Sequence, residues 1–118
     1  MAKNVLIVDD STYMRTIIKD TLEANGFLIV GQAANGEEAI DLAFDLQPDI
    51  ITLDNILPDM IGIDILKAYT KEGLPSKVIM VSAVGQESVI KEGLELGAKA
   101  YLVKPFTPEQ LINEMNKL

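Results

Sequence analysis

Five short apolar runs recur along the chain: VLIV (5–8), FLIVGQA (27–33), IITL (50–53), VIMVS (78–82) and AYLV (100–103). Each is followed by a stretch of helical periodicity. A short apolar run bounded by turn residues is the pattern of a strand buried on both faces, as in a parallel sheet. Strand then helix, five times over, leaves few ways to cover both kinds of apolar surface. The chain is therefore expected to be an α/β protein of (βα)5 type, with a doubly wound, mostly parallel five-stranded sheet, helices on both faces and right-handed crossovers.

The helical stretches carry their own stop and start signals. The first runs from Thr12 to Asn25, with Met14, Ile17, Ile18, Thr21 and Leu22 on one face and Gly26 as a left-handed cap. Met14 is read as core rather than as a lid near the acidic pair that precedes it. Asn35 and Glu38 have the spacing of a capping box, and Pro48 and Asp49 break the helix they open. The third helix covers about 63–72 and the fourth about 86–96, ending at Gly97. The last opens with Thr107, Pro108, Glu109 and Gln110 and buries Leu111, Ile112 and Met115.

Strand composition sets the order of the sheet. Runs 1, 3 and 4 read as continuous apolar runs and belong in the centre. Run 2 meets Gly31 and Gln32, and run 5 is short, so both belong at edges. The order 2-1-3-4-5 satisfies this and places the topological reversal between strands 1 and 3. At 118 residues the chain is expected to be a single domain, 1–118, able to bury a core without disulfides or structural metal.

Composition removes several chemistries. The chain has no cysteine and no histidine, which excludes redox thiols, the usual zinc sites and histidine as base or phosphoacceptor. Eighteen acidic against ten basic residues give a formal charge of −8 with no Lys/Arg cluster, which argues against direct nucleic-acid binding. The start, MAKNVLIVDD, is too short in its apolar run for a signal peptide or a membrane span. A cytoplasmic location and no membrane insertion are the expectation.

The polar residues sit where the apolar runs end. Strand 1 ends in Asp9 and Asp10, strand 3 in Asp54 and strand 4 in Ser82, and strand 5 is followed by Lys104 and Pro105. With strands 1 and 3 as neighbours, three carboxylates converge on the crevice where open α/β sheets bind ligands. Such a group must share a proton, meet a cation or turn apart. Without imidazole or thiolate the matching cation is hard and oxygen-seeking, Mg²⁺ first and Mn²⁺ close behind.

Lys104 and Ser82 suit the oxygens of a phosphoryl group. There is no GxxxxGK[ST] and no GxGxxG, so neither a P-loop nor a dinucleotide fingerprint holds a substrate. What remains is an aspartate that is itself the nucleophile, and Asp54 is the better candidate because Asp9 and Asp10 together can serve the metal. Taken singly, each residue has a plainer reading: Asp9 or Asp10 as a helix cap, Asp54 as a strand exit, Ser82 as a small loop residue, Lys104 as solvated surface. Their placement on one edge of one sheet favours the joint reading.

These residues closely resemble the receiver domain of two-component response regulators, and within that family the stand-alone chemotaxis (CheY-like) branch. The resemblance runs through LIVDDS with Asp9 and Asp10, LDNILPDMIG with Asp54, Pro58 and Gly62, MVSA with Ser82, the GA of Gly97 and Ala98, and YLVKPF with Tyr101, Lys104, Pro105 and Phe106. Each motif alone is weak, but five in order at family spacing are specific. The resemblance implies the flavodoxin-like form of the fold and transfer of a phosphoryl group from a histidine kinase to Asp54. It implies Mg²⁺ held by Asp10, Asp54 and the backbone carbonyl of Ile56, with Asp9 acting through water. Lys104 would pair with the phosphoryl oxygens, Ser82 would move to the phosphate, and Tyr101 would rotate behind it. The surface of helix 4, strand 5 and helix 5 would then dock an effector. Read without the family, Tyr101 is a half-buried strand aromatic.

Two neighbours modify that expectation. Ile56 and Val84, two residues past Asp54 and Ser82, are apolar where relatives that lose phosphate quickly carry polar groups, so slow autodephosphorylation is expected. The leading functional reading is a monomeric signal carrier between a chemotaxis kinase and the flagellar motor switch or another effector. A phosphorelay intermediary and the receiver of a longer transcriptional regulator are the alternatives. A small aspartyl phosphohydrolase fits less well, because Ile56 stands where such enzymes place a second acid.

Overall fold

In the computed structural model, which describes residues 2–118, ten elements alternate without exception. They are β1 (Asn4–Val8), α1 (Thr12–Ala24), β2 (Leu28–Ala33), α2 (Gly36–Leu46), β3 (Ile50–Leu53), α3 (Gly62–Lys71), β4 (Lys77–Ser82), α4 (Glu87–Glu95), β5 (Ala100–Val103) and α5 (Pro108–Asn116). All four strand pairings are parallel and the order is β2-β1-β3-β4-β5, as the composition of the runs predicts. Expected boundaries move by only a residue or two, as is usual where helix ends fray.

Alternation along the central strands divides the apolar residues into two cores. Val5 and Ile7 of β1, Ile50 of β3, and Ile79 and Val81 of β4 pack with Ile18 and Leu22 of α1 and Leu111 and Met115 of α5. Leu6, Val8, Ile51, Leu53, Val78 and Met80 face the other way, against Ala39 and Ala43 of α2 and Ile63, Leu66 and Tyr69 of α3. Successive strand side chains point to opposite faces, so each central strand serves both layers. Met14 packs against the first of these cores, in agreement with its reading as core.

The helix ends follow local chemistry. Thr107 and Gln110 form a reciprocal capping box, with Pro108 in the first turn of α5. Asn35 accepts the Glu38 N–H, but the Glu38 carboxylate reaches the Ala34 N–H instead of closing the box on Asn35. Ser11, rather than Asp9 or Asp10, caps α1 by accepting from Met14 N–H at 3.2 Å. Gln47 ends α2 in the left-handed region, φ 44°, immediately before Pro48, whose ring disfavours helical backbone in the residue before it.

Candidate functional site

Register places the acidic residues side by side. Val8 pairs with Leu53 across β1 and β3. The pairing continues one step further, because Asp54 N–H donates to the Val8 carbonyl at 3.0 Å, while Asp9 N–H donates to Ala33 O at 3.0 Å on the β2 side. Asp9 and Asp54 therefore leave the carboxyl edge of adjacent central strands together, and Asp10 follows by one peptide. Carboxylate oxygens of all three lie within 4.8 Å of one another, with Asp9 and Asp54 buried and Asp10 exposed.

Lys104 answers part of this charge. Its backbone N–H is fixed by Ser82 O at 2.9 Å, and the Lys104–Pro105 peptide is cis. Its ammonium lies 2.5 Å from Asp9 Oδ2 and 3.3 Å from Asp54 Oδ2. The second oxygen of Asp9 accepts the Ser11 N–H at 2.9 Å, and that of Asp54 faces the Ile56 N–H at 3.4 Å. Two carboxylates thus share one ammonium and the exposed third lies beside them, an all-oxygen donor set able to coordinate a divalent metal ion.

The electrostatics have competing causes. Burial raises the Asp54 pKa; Lys104 lowers it, Asp9 raises it further, and the Ser82 hydroxyl and Ile56 N–H lower it, leaving a net rise above the ordinary carboxylate value. Burial works against the Lys104 ammonium, but its hydrogen bond to Asp9 and the charges of Asp54 and Asp9 outweigh it and raise its pKa. The group therefore prefers to keep both the lysine proton and, more than a free aspartate would, a proton on Asp54.

Ser82 and Tyr101 are brought together through the backbone of Val84. Ser82 is fully buried at the end of β4, and its hydroxyl accepts from Val84 N–H at 3.2 Å. The Tyr101 hydroxyl donates to Val84 O at 2.6 Å, and its ring passes over Gly93 of α4. Burial raises the Tyr101 pKa, which keeps the phenol a donor. Ile56, beside Asp54, is 55% exposed, and its backbone forms an antiparallel bridge across the loop with Ile61, itself 46% exposed.

Several positioning contacts were invisible to motif reading. Ile61 occupies the N-cap of α3 and offers no polar side chain; Asn55, adjacent to Asp54, supplies the missing acceptor to Ile63 N–H at 3.0 Å. The Asp59 carboxylate accepts the Gly36 and Glu37 N–H groups at 2.7 and 3.1 Å, which seats the loop on the N-terminus of α2 and holds its carboxyl below the usual range. Arg15 of α1 donates to the Asp9 carbonyl at 2.6 Å. Each departs from local sequence spacing, and the only signal was an Asn or Asp in a loop and a lone arginine in a first turn.

Among the described residues no helix is long and apolar enough to cross a membrane. The chain is 42% identical over 118 residues to the chemotaxis protein CheY of Thermotoga maritima, covering 100% of this chain and 98% of that one. It is 40% identical to CheY of Bacillus subtilis, covering 99% and 98%. CheY in the CheX–CheY–BeF3–Mg²⁺ complex of Borrelia burgdorferi superposes with a TM-score of 0.94 at 36% identity, covering 98% of this chain and 87% of that one. The cluster of Asp9, Asp10 and Asp54 is poised for phosphoryl transfer as in CheY-type receiver domains. Residues 5–116 match the response regulator receiver domain, and the chain belongs to that family, closely related to the chemotaxis CheY proteins.

Proposed function

We propose that Asp54 is the phosphoacceptor of a chemotaxis signal carrier that takes its phosphoryl group from a phosphohistidine of a histidine kinase. The observation that carries this is the Lys104 ammonium shared between Asp9 and Asp54 at the acidic crevice. An Asp54 carboxylate oxygen attacks phosphorus, the P–N bond to the donor imidazole breaks with its electron pair leaving on nitrogen, and a P–O bond forms. Asp10, Asp54 and the Ile56 carbonyl would hold Mg²⁺, or Mn²⁺, directly, and Asp9 through water. That division suits Asp9, whose two carboxylate oxygens already accept from Ser11 and Lys104. Bound there, the ion neutralises charge on the transferring group.

Lys104 would pass from the carboxylates to the phosphoryl oxygens, and Ser82 would donate to the same group. Because Ser82 and Tyr101 both hold Val84, movement of Ser82 would be felt at Tyr101 and at the start of α4. An effector would dock on α4, β5 and α5, a reading supported by the exposed Leu94 and Val103. The effector class is the flagellar motor switch, reached by a monomer diffusing in the cytoplasm. Ile56 and Val84 offer no polar side chain to orient water, so the acyl phosphate is long-lived.

The test is labelling with acetyl phosphate or a phosphorylated histidine kinase in Mg²⁺, set against Asp54→Asn. Label at Asp54 and phosphate-dependent retention of a motor switch protein support the reading. No label on the wild-type chain overturns it, and transfer onward to a second histidine protein selects a relay. A half-life of seconds in the isolated protein overturns the long-lived acyl phosphate.

A further inference from the structure

We propose that Arg15 is a positioning residue of the divalent-cation site: it fixes the peptide between Asp9 and Asp10 so that the Asp10 carboxylate is held against Asp54. The inference rests on the metal reading given above and extends it to a residue outside the acidic cluster.

Asp9 is held at every hydrogen-bonding atom. Its N–H goes to Ala33 O, its carboxylate oxygens accept from Ser11 N–H and Lys104, and its carbonyl accepts from Arg15 Nη1 at 2.6 Å. Asp10 differs: its carboxylate is exposed, and no side-chain hydrogen bond holds it among the described residues. Its place within 4.8 Å of the other two carboxylates is therefore set by the backbone that leads into it. Arg15 grips the one carbonyl of that peptide. Loss of this bond frees the peptide plane to rotate, and rotation swings Asp10 away while leaving Asp9 anchored by its side chain.

The guanidinium is itself immobilised. Nε donates to Gln32 Oε1 on β2 at 3.2 Å and Nη2 to Thr12 Oγ1 on α1 at 3.2 Å. Three neutral acceptors, on β2, on α1 and in the loop between β1 and α1, use the rigid fork of arginine, which the single ammonium of lysine cannot reproduce. None of them cancels the positive charge, which sits at the Asp9 carbonyl next to the acidic cluster and opposes cation uptake through space. Positioning and charge thus act in opposite directions on metal affinity, and that makes them separable.

The experiment is a Mn²⁺ titration of the full chain, read by water-proton relaxation, on wild type, Arg15→Lys, Arg15→Met and Gln32→Ala. Thermal unfolding without metal verifies that each is folded. Both Arg15 variants are expected to bind Mn²⁺ about tenfold more weakly, the order of loss seen when partners of metal ligands are removed. Gln32→Ala, on an exposed edge position, loosens the guanidinium without touching its charge and gives a smaller loss in the same direction. Unchanged affinity in Arg15→Lys and Gln32→Ala overturns the proposal, even if Arg15→Met fails to fold. Tighter binding by Arg15→Met with Arg15→Lys unchanged also overturns it, since that is the signature of charge alone. A wild-type chain that takes up no Mn²⁺ removes the metal reading itself, an outcome distinct from equal binding by all variants.

Discussion

The hydroxyl of Tyr101 donates to the backbone carbonyl of Val84 at 2.6 Å, which ties β5 to the loop that leads into α4. Tyr101→Phe keeps the ring over Gly93 and removes only this tie. We expect a loss of about 1 kcal/mol in denaturant unfolding, the usual worth of one such bond. Amide exchange should accelerate at residues 83–86 and the start of α4, while acetyl phosphate labelling of Asp54 is retained. Uniformly faster exchange across the sheet would contradict this local assignment.

Asp54 should cost the apo protein stability at neutral pH. Its folded pKa is raised, chiefly by burial, so the folded state binds a proton more tightly than the unfolded chain. Its contribution is therefore favourable at low pH and is lost as pH rises from the unfolded value of 3.8 through the folded one. Asp54→Asn should raise stability at pH 7 on the order of 0.5–2 kcal/mol, the range of a single stabilising substitution. The advantage should shrink as the pH is lowered toward 3.8. Equal melting curves for the two proteins at pH 7 would count against a raised pKa.

Divalent cation should act as a folding ligand. Mg²⁺ at a hundred times its dissociation constant is expected to add about 2.7 kcal/mol to the wild-type chain by mass action. Asp10→Asn and Asp54→Asn should lose most of that increment, and a thermal-shift series in MgCl₂ against matched NaCl measures it. An increment that survives in both variants would place the ion elsewhere.

Thr52 is buried in the middle of β3, and its hydroxyl has no hydrogen-bond partner among the described residues. Thr52→Val replaces that hydroxyl with a methyl group of similar size among Val5, Ile7, Ile79 and the other residues of that core. The expected gain is about 1 kcal/mol, the lower end of the cost of an unsatisfied buried polar group. Urea unfolding reads it directly, and a loss of stability would mean that the hydroxyl is satisfied in solution.

Gly62 and Gly36 separate backbone from side-chain crowding. A methyl group on Gly62 would meet the Asp54 carbonyl and the Asn55 Cα, the latter at 2.8 Å, and neither can move without displacing Asp54. A methyl group on Gly36 meets only the flexible Met60 side chain. Gly62→Ala should therefore cost about 3 kcal/mol and slow Asp54 labelling, whereas Gly36→Ala should cost less and leave labelling intact. Equal effects in the two variants would contradict the distinction.

The fold was legible because burial on both faces leaves its mark on each strand separately. IITL and AYLV are β3 and β5 to the residue, and the polar letters of run 2 gave its edge position. Asp9, Asp10, Asp54 and Lys104 were legible for a related reason, since a residue that ends a strand of a parallel sheet must emerge at its carboxyl edge. The closure of α3 was not. Its N-cap is Ile61, and the acceptor that replaces a capping side chain is Asn55, on the far side of a loop whose shape no local pattern encodes.

Strand order, the two apolar layers and the identity of the residues at the carboxyl edge were thus determined by the sequence alone, because periodicity and composition report burial locally. Only the tertiary structure decided how those residues are held. Lys104 lies closer to Asp9 than to Asp54, Val84 joins Ser82 to Tyr101, and Arg15 and Asp59 pin the loops on either side. These are hydrogen bonds between groups distant in the chain, set by direction and by tenths of an ångström, and such geometry exists only once the elements have packed.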